Sequence, residues 1–159
     1  MSEVTSKTIA ELRDGFRAGE FSAREIAEAY NAAVAASKTL NAYTVETPED
    51  ALSAAEAADS GKSTGSLAGI PLGIKDLFAT KGVDSTAGSR ILKGFRPTYE
   101  STVTANLRRA GAGMLGKLNM PTLAAWLGVP LGPGSIDGHC ITSVAECPGV
   151  VGRTERGKR

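Results

Sequence analysis

The stretch Leu67-Ala68-Gly69-Ile70-Pro71-Leu72-Gly73-Ile74-Lys75-Asp76 decides the fold class. It is a short apolar run, too short and too rich in Gly for a helix, and it predicts a buried strand. The run ends in a lysine and an aspartate, after which Leu77-Phe78 resumes the hydrophobicity. On both sides of it the period is helical. Downstream, Glu100-Ser101-Thr102 leads into a helix carrying Val103, Leu107 and Ala110 and closed by Gly111, and Met114-Leu115-Gly116 is a second short apolar strand. Upstream, Thr47 and Pro48 open an Ala-rich helix with Glu49 and Asp50 at its positive end; it runs through Ala58 and stops before Gly61. Leu40 to Val45 has the β-branched and aromatic content of a strand. Helix and strand alternate, so the fold class is α/β, with helices covering a sheet.

The first forty residues are helical. Thr8-Ile9-Ala10-Glu11 and Ser22-Ala23-Arg24-Glu25 are both capping boxes, each satisfying two orphan backbone donors. Ile9, Leu12 and Phe16 mark the buried face of the first helix; Ile26, Tyr30, Ala33 and Val34 mark that of the second. With Gly19 and Phe21 between them, they predict a helical hairpin over residues 8–37.

Composition excludes more than it selects. The chain has 159 residues, 18 basic against 17 acidic, and 42% hydrophobic content, which fits one globular domain. A net charge of +1 gives no bulk electrostatic reason to bind nucleic acid or an acidic membrane. No apolar run approaches the ~20 residues of a membrane span, and the first residues lack a basic and apolar leader pattern, so a cytoplasmic location is expected. Two cysteines are too few for a disulfide framework. The chain is uneven, however. Both cysteines, the one His, the one Trp and four of the seven prolines fall in residues 121–159.

Lys75 is the residue most able to carry chemistry. Within an apolar strand a lysine is desolvated, and a neutral amine can act as a base. At the strand end, the alternative is a solvated pair formed with Asp76. Pattern alone leaves both open.

Several motifs in one order go further. After Leu67–Asp76 come Gly82, Ser85-Thr86-Ala87-Gly88-Ser89, Pro97, Glu100-Ser101-Thr102-Val103, Ala110-Gly111-Ala112 and Gly116-Lys117-Leu118-Asn119-Met120. This series resembles the amidase signature family, without a gap over residues 1–120. Phe21-Ser22-Ala23-Arg24-Glu25 and Leu40-Asn41-Ala42-Tyr43 resemble in particular its tRNA-dependent amidotransferase branch. The resemblance implies the N-terminal portion of a mixed sheet flanked by helices. It also implies a triad of two serines and a lysine, with Lys75 as the base and no cofactor or metal on this chain. For that branch it implies hydrolysis of the glutamine amide and delivery of ammonia to partner subunits, B and C of a heterotrimer. ATP and Mg are used there, and tRNA is met through the complex. The same motifs suit another amidase acting on small amides, or a remnant that keeps only a partner surface.

The match stops after Met120. The family continues with a Gly-Ser-Ser-Asn segment and then a Pro-Gly-Gly-Ser-Ser-Gly-Gly-Ser segment carrying the second serine. Here the chain reads Pro121-Thr122-Leu123-Ala124-Ala125-Trp126-Leu127, and Gly149-Val150-Val151-Gly152 near the expected serine. Gly132-Pro133-Gly134-Ser135 has one serine and reads as a turn. Asp137, His139, Cys140, Glu146 and Cys147 lack a four-ligand zinc spacing and read as incidental. Arg153, Arg156, Lys158 and Arg159 form a basic end without interleaved aromatics. Residues 121–159 are therefore expected to be a divergent tail, consistent with a frame-shifted continuation, and the chain alone to be inactive. Lys117 reads either as a neighbour of the site or as a solvated lysine after a strand.

Overall fold

The computed structural model describes residues 3–120; the readings made on residues 121–159 lie outside it. Helix α1 spans Ile9–Ala18 and α2 spans Ala23–Ala36. Both begin as the capping boxes predict. Thr8 Oγ1 accepts from the Glu11 N–H while the Glu11 carboxylate accepts from the Thr8 N–H, and Ser22 and Glu25 repeat the exchange. Gly19, at φ +75°, ends α1 in the left-handed region that glycine enters without penalty. Asp59 adds a cap from a distance: its two carboxylate oxygens accept from the N–H groups of Ala23 and Arg24.

Strand β1 (Tyr43–Glu46) precedes α3 (Pro48–Asp59), which carries Pro in its first turn and Glu49 and Asp50 beside it. Strand β2 covers Pro71–Lys75, α4 covers Thr102–Arg109 and β3 covers Gly113–Leu118. The sheet order is β1-β3-β2, with β3 antiparallel to β1 and parallel to β2. It is a mixed sheet flanked by helices.

Small side chains set the packing. Ala23, Ala27, Ala51, Ala55 and Ala58 form one buried cluster with Leu115 and let α2 pack closely on α3 and α3 on β3. A Cβ on Gly113 would stand 2.9 Å from the Ala51 Cα. A second cluster of Leu12, Ile26 and Ile70 seats α1 and α2 on the entry to β2. Asp50, at the start of α3, accepts from the Met114 N–H and pairs with Arg108, which also pairs with Glu100. That network ties α3, β3 and α4 together.

Three sequence expectations need correction. The strand does not begin at Leu67: residues 67–69 form a turn, with Gly69 at φ +72° and the Ala68 N–H bonded to Gly65 O. Leu40 belongs to a 3-10 turn at Lys38–Leu40, so β1 starts only at Tyr43. Ile9 and Val103 are 50% and 43% exposed, and the buried residue on α4 is Thr104.

Candidate active site

Strands β2 and β3 run parallel and end side by side, Lys75 opposite Leu118. In open α/β sheets, ligands bind outside the carboxyl ends of parallel strands. Lys75 stands at that end, and it is exposed. Asp76 follows it and is 1% exposed; its backbone N–H reaches Leu118 O at 3.1 Å. The two residues therefore part company: one faces solvent and the other is buried.

The partner of Asp76 is Lys117, not Lys75. Lys117 is completely buried, and its Nζ lies 3.7 Å from an Asp76 carboxylate oxygen. Nζ donates to Ser85 Oγ at 2.8 Å, to the carbonyl oxygen of Phe78, and more weakly to Thr80 Oγ1 at 3.4 Å. Burial pushes the Lys117 amine below its ordinary range, against the pull of the Asp76 carboxylate and, more weakly, of Glu100. Asp76 in turn accepts from both the N–H and the hydroxyl of Thr86. All its donors come from outside its own strand.

Both expectations for the strand-end pair are thus revised. Among the described residues, nothing encloses the Lys75 side chain, and no solvated pair with Asp76 forms. The option of a solvated Lys117 is overturned as well: the apolar pattern of β3 runs straight through it. Sequence reasoning missed Asp76, Ser85 and Thr86 as its partners. The faint signal was the strict order of the Lys75-Asp76 and Ser85–Ser89 motifs ten residues apart.

Ser85 and Lys117 have the separation of a nucleophile and its base, yet the pair is closed to chemistry. Ser85 is 5% exposed, its hydroxyl also donates to Val83 O, and the amine is already held by Asp76 and Phe78. A nucleophile needs an oxygen that a substrate carbon can approach, and among the described residues the Ser85 hydroxyl is buried and already bonded. The cluster is a buried polar network.

Thr86 carries the network outward. After it the backbone turns through two left-handed residues, Ala87 at φ +49° and Gly88 at φ +67°. A left-handed Ala persists only where its surroundings hold it, and Thr86, fixed to Asp76, supplies that hold. Thr86 and Ser89 then line an open cavity of about 540 Å³ together with Tyr43, Thr44, Lys93 and Asn119. Asn119 directly follows the end of β3, so this cavity sits at the same end of the sheet as Lys75. Among the described residues no group of three His, Cys, Asp or Glu side chains converges as metal ligands would.

The profile of the amidase family matches residues 25–129. The chain belongs to the amidase family. Curated relatives include the A subunit of glutamyl-tRNA(Gln) amidotransferase from Rhizorhabdus wittichii, 60% identical over 127 residues, and that from Methylorubrum extorquens, 55% identical over 127 residues. Each alignment covers 78% of this amidase-family chain and 26% of the relative, so the chain spans about a quarter of the length of the relatives it matches. Among solved structures, the peptide amidase of Stenotrophomonas maltophilia is similar with a TM-score of 0.67 and 34% identity. That likeness covers 74% of this chain and 26% of that one. The mixed sheet flanked by helices is thus an amidase-signature architecture. No helix among the described residues is long and apolar enough to cross a membrane.

Proposed function

We propose that this amidase-family chain carries the lysine base of an amide hydrolase of the kind found as the A subunit of glutamyl-tRNA(Gln) amidotransferase, and that Lys75 is that base. The observation behind this reading is the identity of up to 60% with those relatives over 127 residues. The site's geometry agrees with it: Lys75 stands exposed at the carboxyl end of β2, the end of the sheet where the cavity lined by Thr86 and Asn119 opens, and a serine supplied by the rest of an amidase could meet it there. In such a reaction a serine hydroxyl attacks the amide carbon, a second serine relays the proton, and the lysine takes it. The amide is that of glutamine. The ammonia passes to a partner protein of the complex, and ATP, Mg and tRNA are handled there rather than by this chain. The setting is the cytoplasm.

Taken alone, these 159 residues contain neither a Gly-Ser-Ser-Asn nor a Gly-Gly-Ser-Ser-Gly-Gly-Ser segment. We therefore propose that the isolated polypeptide turns over no glutamine. The test is ammonia release from glutamine by the purified 159-residue chain. Background release is expected, and turnover that Lys75→Ala abolishes would sink the proposal. An amidase acting on other small amides is the second reading, favoured by the likeness to the peptide amidase. Its identity of 34%, against 60% for the amidotransferase relative, places it second.

A further inference from the structure

The most deeply buried charge in the described residues sits one strand away from Lys75. Ile74 pairs with Lys117 and Lys75 with Leu118. Neighbouring residues of a strand point to opposite faces. Lys117 and Ile74 therefore share one face of the sheet, and Lys75 takes the other. Asp76, two residues beyond Ile74, returns to the Lys117 side and meets its amine there.

Two consequences follow from this arrangement. The first is geometric. Asp76 is tied at its side chain to Lys117 and Thr86 and at its backbone to Leu118, so the turn after β2 has one setting and Lys75 one face. The second is electrostatic. An uncompensated carboxylate next in sequence to Lys75 would favour its charged form, and an ammonium is no base. A buried cation against that carboxylate removes the field. Glu100 is the other carboxylate felt at Lys117, and it is engaged by Arg108 and Thr104.

We propose that Lys117 is a positioning residue for Lys75: by holding Asp76 on the buried face of the sheet, it fixes the face on which Lys75 is presented and cancels the neighbouring negative charge. The consequence for Lys75 as a base rests on the reading given under Proposed function; the coupling of the two lysines does not.

Competitive acetylation of the full 159-residue chain at pH 8, read for each lysine by mass spectrometry, tests the coupling. Only a neutral amine reacts, so the rate reports the neutral fraction. Lys62 and Lys81, both exposed, serve as internal references. Lys117→Met is expected to slow Lys75 at least about twofold relative to them, the scale of one unit charge acting over a partly solvated distance. Asp76→Asn combined with Lys117→Met should restore the original rate. A purely structural role would not produce that rescue, and an unchanged Lys75 rate in both variants overturns the proposal. Should the single variant fail to fold, the unsubstituted chain still decides. Its lysine side-chain nitrogen spectrum at pH 7 must show Lys117 as an ammonium, and a neutral amine there overturns the proposal too. Loss of amide hydrolysis on Lys75→Ala is a separate measurement, so either claim can fail without the other.

Discussion

Lys117 Nζ lies 3.7 Å from a carboxylate oxygen of Asp76, and neither side chain reaches solvent. The pair joins the end of β2 to the middle strand of the sheet, and Thr86 extends it to the loop that lines the cavity. Burying two charges is costly, and breaking such a pair strands one of them.

Removing one partner should therefore do more harm than removing both. Lys117→Met or Asp76→Asn alone is expected to cost about 3–5 kcal/mol, and the double variant clearly less than the sum of the two. Urea denaturation of the four proteins measures this. Additive losses would show that the two charges do not interact.

The pH dependence of stability carries a defined sign. The folded-state Lys117 amine is pushed down by burial from its ordinary 10.5. Between the folded and unfolded values the unfolded chain holds a proton that the native chain has released. Stability from this group therefore rises with pH across that window and is constant below it. Urea midpoints measured from pH 7 to 10 should show this rise in the unsubstituted chain relative to the double variant lacking both charges. A difference that falls with pH would contradict the burial of Lys117.

The helix caps act at the acid end. The Glu25 carboxyl is held below its ordinary 4.5, first by the backbone N–H of Ser22 and then by its hydroxyl; Glu11 is held likewise by Thr8. Stability from these groups is full above 4.5 and is lost as pH falls through the folded value. Ser22→Ala should cost about 1 kcal/mol near neutrality, and part of that difference should vanish on acidification. Thermal melts at pH 7 and pH 3 compare the two.

How much of this could be read from the sequence depends on how far apart the partners lie. Thr8 and Glu11, or Ser22 and Glu25, are three residues apart, and helix geometry alone brings them together. The alternation of helix and strand was legible for the same reason. The burial of Lys117 depends on Asp76, Phe78 and Ser85, more than thirty residues upstream, and no local period encodes that. Leu67–Gly69 looked like strand because it is apolar, yet the left-handed Gly69 and the turn from Gly65 win over hydrophobicity. Ile9 and Val103 lie on the predicted apolar faces, but among the described residues neither is covered. For Lys75 the sequence offered a resemblance and a position, and the structure adds its exposure and its face.

Gly69 is where backbone freedom and close packing coincide. At φ +72° its added Cβ would stand 2.4 Å from the Ala23 Cβ, at the start of α2. Gly69→Ala is expected to cost about 2–4 kcal/mol, from left-handed strain and overpacking together. A denaturation midpoint equal to that of the unsubstituted chain would show that α2 does not pack on the entry to β2 as described.

On the proposed function, Lys75 supplies the base of an amide hydrolase. The most direct measurement places residues 1–120 of this chain in the corresponding segment of the Rhizorhabdus wittichii relative, to which this chain is 60% identical over 127 residues. Glutamine-dependent ammonia release by the assembled chimaera is then followed with and without Lys75→Ala. Loss of a proton-accepting member of a catalytic unit should lower the rate by about a thousandfold or more. An active chimaera that keeps its rate after Lys75→Ala would show that Lys75 is not the base.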